Sequence, residues 1–260
     1  MLSQERQAII LDELKKFKSI TIQQLSETLN ASESTVRRDL AELDAQGQLT
    51  KVHGGAVLKN ATQISTKDAT VGIRKEYNIS EKEEIAKYAA SLIQDDDFVY
   101  LDAGTTTDLM IAYITAKNAV FVTNAFSHAQ KLAEAGLCTF ILGGEIKLST
   151  ESVVGEEALQ SLSKYHFTKG FFGTNGVSPA FGFSTPEIRE ALIKRNAMQR
   201  TRERFILADP SKFSKLSSVT FAEFSDAKVI TTKVDDEGYR NFSNIIETER
   251  NHEKITEAKE

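Results

Sequence analysis

The stretch Ala31–Leu43, "ASESTVRRDLAEL", decides how the N-terminal part of the chain folds. It sets two adjacent arginines, Arg37 and Arg38, inside an apolar pattern that otherwise suits a packed helix. Successive residues of an α-helix are about 100° apart around its axis, so with Val36 at the origin Leu40 and Leu43 fall within about 40° and form one buried stripe. Ser34 and Arg38 lie roughly opposite, Ala41 and Ala45 share that outer face, and Arg37 and Thr35 flank it. Short side chains with two arginines make a surface able to approach a DNA groove, where Arg can bond a guanine edge bidentately or hold phosphates. A solvated face with an Arg37–Asp44 or Arg38–Glu42 ion pair is an equal alternative while the helix is considered alone.

The flanking sequence favours the first alternative. Ser32 can cap this helix, which runs to about Gln46 before Gly47 supplies a left-handed stop. Upstream, Ile9, Ile10, Leu14 and Phe17 recur at helical spacing over 3–18, and "KSI" (18–20) reads as a break. Thr21 and Gln24 form a capping box ahead of Leu25 and Leu29, giving a helix of about nine residues and a tight turn at Asn30–Ala31. Downstream, "GQLTKVHGGAVL" (47–58) predicts a strand over 49–52, a turn at Gly54–Gly55 and a second apolar stretch over 56–58. Two short helices, a tight turn and a hairpin carrying Lys51 and His53 predict a winged helix-turn-helix.

Arg6, Ile10 and Leu14, then Ser32, Thr35-Val36-Arg37-Arg38-Asp39-Leu40 and "KVHGGA" (51–56), resemble the N-terminal signature of DeoR-type bacterial transcriptional regulators. The resemblance implies contacts to operator double-stranded DNA from Ser32, Ser34, Thr35, Arg37 and Arg38, with Lys51 and His53 in the wing. Many members have arginine where this chain has Lys51, which keeps the charge and loses the planar fork.

Composition sets bounds on these readings. At 260 residues with 40% hydrophobic content the chain can bury a core and hold two domains. A net charge of −5 argues against nonspecific coating of nucleic acid. The first sixty residues carry eight Lys/Arg against eight Asp/Glu, so DNA binding must rest on where the positive charges sit. No apolar run reaches the roughly 18 residues of a membrane span, and a cytoplasmic protein is expected. The single cysteine, Cys138, lies in "LCTFIL" (137–142) and is expected to be buried and inert. The histidines, His53, His128, His166 and His252, lack metal-ligand spacing, so neither a structural metal nor a cofactor is expected.

Residues 1–58 thus read as the DNA-binding domain, 59–72 as a polar linker and 73–260 as a second domain. There, strand-like runs such as "FVYLD" (98–102), "AVFVT" (119–123) and "RFILAD" (204–209) alternate with helical ones, the pattern of an α/β fold with a parallel sheet. Open sheets of this kind bind ligands at the C-terminal ends of their strands. "LDAGTTTDL" (101–109) puts Asp102, a turn at Gly104, and Thr105, Thr106 and Thr107 at a helix start, a phosphate cradle by type or simply a helix cap. Thr123 and Asn124, Thr174 and Asn175, and Lys212 in "DPSKF" add polar groups at further strand ends, each with turn chemistry as the alternative.

These motifs, with "ILGG" (141–144) and "GFSTPEIREALIK" (182–194), also resemble the sensor domain of the same family, similar in fold to ribose-5-phosphate isomerase. The resemblance implies a phosphorylated sugar effector held by those strand-end residues, fructose 1-phosphate if the likeness to fructose-operon repressors holds. It departs at Thr168, where many members have aspartate. A sugar-phosphate isomerase carrying a DNA-binding domain is the rival reading. Isomerisation needs a carboxylate base and usually a lysine. The resemblance puts the acids where this chain has Thr174 and Asn175, which leaves Asp102 alone and favours a repressor working as a homo-oligomer, dimer or tetramer.

Overall fold

Side-chain caps start two of the helices that the sequence predicts. α1 (Ser3–Phe17) is followed by β1 (Ser19–Thr21), α2 (Ile22–Leu29), α3 (Glu33–Ala45), β2 (Leu49–Val52) and β3 (Gly55–Leu58). The computed structural model describes residues 2–17, 19–58, 65–66, 70–234, 236–239 and 242–248. Thr21 Oγ1 accepts from the Gln24 N–H at 3.1 Å and Gln24 Oε1 accepts from the Thr21 N–H at 3.0 Å, which satisfies two of the donors that open α2. Asn30, at φ 46°, turns the chain out of α2, and Ser32 caps α3. Ile10, Leu14, Leu25, Val36, Leu40 and Leu43 close into one core. Truncating a fully buried leucine such as Leu40 to alanine should cost about 2–5 kcal/mol.

Two details differ from the sequence reading. Ile20, in the presumed break, belongs to β1, which pairs with β3 in a sheet of order β1-β3-β2; Lys18 lies outside the described residues. The wing turn sits one residue earlier than predicted, because Gly54 takes φ +87° while Gly55 already pairs with Val52. Strand pairing between segments some 35 residues apart leaves no local periodicity to read.

The second unit adds α4 (Val71–Lys75), α5 (Ile79–Ser91), β4 (Phe98–Leu101), α6 (Thr105–Met110), β5 (Val120–Thr123), α7 (Phe126–Glu134) and β6 (Cys138–Ile141). A small hairpin, β7 (Glu145–Lys147) with β8 (Ser152–Val154), precedes α8 (Glu156–Ser163) and β9 (Phe167–Gly173). Then come β10 (Gly176–Ser178), β11 (Gly182–Thr185), α9 (Ile188–Gln199), β12 (Thr201–Leu207), β13 (Val219–Ala222), β14 (Lys228–Thr231) and β15 (Ile245–Glu247). Seven strands form one parallel sheet in the order β15-β14-β12-β9-β4-β5-β6. Alternate strand residues face opposite sides. Tyr100, Val122, Phe172 and Ile206 pack toward α8 and α9, while Leu101, Phe121, Phe171 and Phe205 pack toward α5, α6 and α7.

Cys138 is exposed, contrary to expectation. It begins β6, the edge strand, where Phe140 and Ile141 are also exposed, so an apolar run did not mean burial here. The residues read as a linker fall partly outside the described set, at 59–64 and 67–69. Of the rest, Ser65 bridges to Ser217 and Val71 starts α4, so both engage the second unit.

Candidate functional site

α3 buries Val36, Leu40 and Leu43 and leaves Ser32, Ser34, Arg37, Arg38, Ala41 and Ala45 exposed, with Thr35 partly covered. Arg37 pairs with Glu33 at 3.0 Å, one turn back, rather than with Asp44. Among the described residues Arg38 has no ion-pair partner, so its guanidinium stands on an open face; the Arg38–Glu42 alternative is not formed. Asp39, beside it in sequence, points the other way: it is fully buried and binds Arg6 of α1 through Nε at 2.7 Å and Nη2 at 3.0 Å. This fork holds α3 against α1 and fixes the rotation of the arginine face. The Lys51 N–H bonds Asp44 Oδ1 at 3.2 Å, which ties the wing to α3 and sets exposed Lys51 and His53 beside it.

In the second unit β12, β9, β4 and β5 are neighbours, and their C-terminal ends open on a cavity of about 510 Å³. That is a size suited to a small metabolite. Asp102, Gly104, Thr105, Thr106, Thr107, Asn124, Thr174, Asn175 and Lys212 all line it, from four separate places in the sequence. Thr123 does not: it is fully buried, and its hydroxyl accepts from the Ala125 N–H at 3.0 Å as turn chemistry. Nor does Thr168, whose hydroxyl bonds Asp97 at 2.7 Å near the start of β9, so its departure from the family pattern has no bearing on the cavity.

Several lining groups are spent on shaping the walls. Thr107 Oγ1 donates to the carbonyls of Asp102 and Gly104, at 2.7 and 2.9 Å, and Asn124 accepts from the Ala103 N–H at 2.9 Å. Thr174 donates to Gly176 O at 2.8 Å and Ser184 O at 3.1 Å. By contrast, Thr105 and Thr106 line the cavity with hydroxyls that have no protein partner among the described residues.

Sequence reasoning missed much of the cavity's charge. Lys194 and Glu190, one turn apart on α9, and Lys82 of α5 are all buried and line it, with Arg74, Asn78 and Thr150. Lys194 binds Asp102 directly, and Asp102 also accepts from the Gly173 N–H at 3.0 Å. Burial pushes Asp102 above the usual carboxylate range, with Lys194 only partly offsetting it. Glu190 is pushed up by burial too, but bonds from Lys147 at 2.8 Å and Thr150 at 2.6 Å outweigh that and leave it below its ordinary value. Lys82 is pulled below the ordinary lysine value, first by burial and then by the nearby charges of Lys212 and Arg74, against the opposing pull of Asp209. The signal lay in the helical spacing: Lys82 falls in the stripe of Ile85, Ala86 and Ala89, and Glu190 and Lys194 in that of Ala197 and Met198.

Comparison with known proteins agrees with both halves. Residues 6–62 match the DeoR-like helix-turn-helix domain, and residues 77–234 match the DeoR C-terminal sensor domain. The chain belongs to the DeoR family. An uncharacterized HTH-type transcriptional regulator, FruR, of Bacillus subtilis (strain 168) is 39% identical over 243 residues, 93% of this chain and 96% of that protein. The lactose phosphotransferase system repressor of Streptococcus mutans serotype c is 34% identical over 251 residues, 95% and 99% of the two chains. The HTH-type transcriptional repressor GlcR of Bacillus subtilis is 32% identical over 233 residues, 89% of each. A ribose 5-phosphate isomerase A from Methanocaldococcus jannaschii overlays with a TM-score of 0.38 at 16% identity, over 52% of this chain and 55% of that one.

As a DeoR-family member the chain is a regulator and not an enzyme. The cavity does hold three carboxylates, Asp102, Glu190 and Asp209, and several lysines, more than the sequence suggested, but the carboxylates are engaged with protein partners rather than poised as free bases. Among the described residues no helix is long and apolar enough to cross a membrane, and no His/Cys/Asp/Glu group could hold a metal ion.

Proposed function

We propose that this cytoplasmic protein represses a sugar-utilisation operon and is released from DNA when a phosphorylated sugar fills the cavity. The observation that carries the reading is the buried Lys82, within electrostatic reach of Lys212 and Arg74, in the same cavity as the Thr105 and Thr106 hydroxyls. A buried ammonium with other cations nearby is costly, and a phosphate beside it offsets that cost. Asp102, Lys194, Glu190 and Asn175, which also line the cavity, offer both donors and acceptors, as the hydroxyls of a sugar require. The relatives named as repressors support the sign of regulation, and fructose 1-phosphate is the effector to test first.

Residues 1–58 act in this reading as the DNA-binding domain, joined by 59–72 to the sensor at 73–260. Ser32, Ser34, Thr35, Arg37 and Arg38 enter or flank the groove, with Lys51 and His53 in the wing. One winged helix covers too little DNA for high specificity, so the protein works as a homo-oligomer on repeated half-sites. The test starts from a duplex selected by the protein out of a randomised pool. Fructose 1-phosphate, fructose 6-phosphate, glucose 6-phosphate and inorganic phosphate are then titrated against melting temperature and against binding of that duplex. One sugar phosphate should raise the melting temperature and release the DNA. A panel that does neither overturns the reading.

A further inference from the structure

The cavity wall and the β10–β11 hairpin are one hydrogen-bonded unit. Thr174 and Asn175 line the cavity and lead into β10, and the Asn175 N–H donates to Ser184 O at 2.9 Å. Asn175 Oδ1 accepts from Thr185 Oγ1 at 3.2 Å, so side chains clamp both strands at their base. β13 pairs with β11, and Val177 O accepts from Tyr239 Oη at 3.1 Å and from the Ser214 N–H at 3.0 Å, which stiffens the arm.

The far end of this arm rests on the winged helix. Ser178 Oγ shares a hydrogen bond with Ser19 Oγ at 2.7 Å, and both residues are buried. Phe181 lies on Gly55: a β-carbon there would come within 2.9 Å of the ring. Gly55 pairs with Thr21, the cap of α2, and Gly54 O accepts from the Ile22 N–H at 2.8 Å. The hairpin tip therefore sits beside the turn of the wing, where β1, β3 and the start of α2 meet. A three-residue strand spans about 10 Å, so the ligand wall and the DNA-binding unit are one short rigid step apart.

We propose that the β10–β11 hairpin is an internal docking arm through which the cavity controls the winged helix. It rests on the cavity being the effector site: contact with Thr174 and Asn175 shifts the hairpin base, and the tip carries the shift to Ser19 and Gly55. Coupling of this kind is reciprocal, so operator binding weakens effector binding by the factor by which effector weakens operator binding.

The full-length chain with Cys138→Ser, Ser19→Cys and Ser178→Cys tests it, since the 2.7 Å hydroxyl contact places positions 19 and 178 within disulfide reach. The oxidised protein should bind the selected duplex within about threefold of wild type, yet lose the release of roughly tenfold or more that the active sugar phosphate causes; reduction should restore it. Release from oxidised and reduced protein at the same concentration overturns the arm. Should no sugar phosphate in the panel release even wild type, the functional reading fails separately, and the arm is judged without ligand. Phe181→Ala should then speed amide exchange at Asn175 by about threefold or more, because a tip contact holds the base. Unchanged exchange overturns the proposal.

Discussion

Arg38 and Lys82 are both cations on helices, and the fold uses them in opposite ways. Arg38 stands on the exposed face of α3, fixed by what lies behind it: the Val36/Leu40/Leu43 stripe and the Arg6–Asp39 fork. Lys82 lies on the buried face of α5, fixed by what surrounds it, with its ammonium on the Arg74 carbonyl and other charges close by. An exposed cation costs nothing to keep in water and is screened by salt, which suits the reading of a long polyanion. A buried one has already lost its water, so a single small anion changes its energy strongly. The difference teaches that net charge, −5 for the chain, says little about either site.

Breaking the buried side should have the largest effect. Lys194→Ala leaves the buried Asp102 carboxyl without its partner inside the protein and should cost about 3–5 kcal/mol in urea unfolding. Replacing both at once, Lys194→Met with Asp102→Leu, should cost far less. Equal losses for the single and double variants would show that the pair is not a buried charge unit. The same interior gives a pH signature. Burial holds His128 of α7 at a pKa of about 4 against an ordinary 6.5, despite Asp108 nearby. Its depressed pKa means that the unfolded chain binds more protons below pH 6.5. Stability is thus full above 6.5 and falls by about 3 kcal/mol on the way to pH 4, a slope that His128→Asn should remove.

The exposed side should break function and spare the fold. Arg38→Ala should weaken binding of the selected duplex by about 1–3 kcal/mol with an unchanged melting temperature, while Arg37→Ala should weaken all sequences evenly and lower the salt slope by about one. A melting temperature that falls with Arg38→Ala would place that side chain in the core. The smallest effect belongs to the surface pair on the same helix. Glu33→Gln should cost less than about 1 kcal/mol, most of it lost at high salt.

The two regions also differ in how openly the sequence declares them. Capping box, αL stop and the Val36 stripe act over a few residues, so α2, α3 and the arginine face were readable from Thr21 to Gly47. β1, and the pairing of β11 with β13, owe their structure to partners far along the chain, and no local pattern marks them. Strand ends were visible as polar breaks after apolar runs, which located nine of the cavity's residues. The breaks could not tell which hydroxyls point inward, so Thr123 looked like a ligand and is a turn cap. Lys82, Glu190 and Lys194 were in plain view at buried helical positions, but a charge in a helix ordinarily marks a solvated face, and that expectation hid them.

Lys82→Met tests the division between the two cations most directly, because it keeps most of the stem and deletes only the charge. Operator affinity is measured with and without the sugar phosphate that releases wild type. The account predicts that Lys82→Met binds the duplex within about threefold of wild type and is no longer released, since the ammonium serves the ligand and not the DNA. Release at the wild-type concentration would contradict it and move the phosphate site away from Lys82.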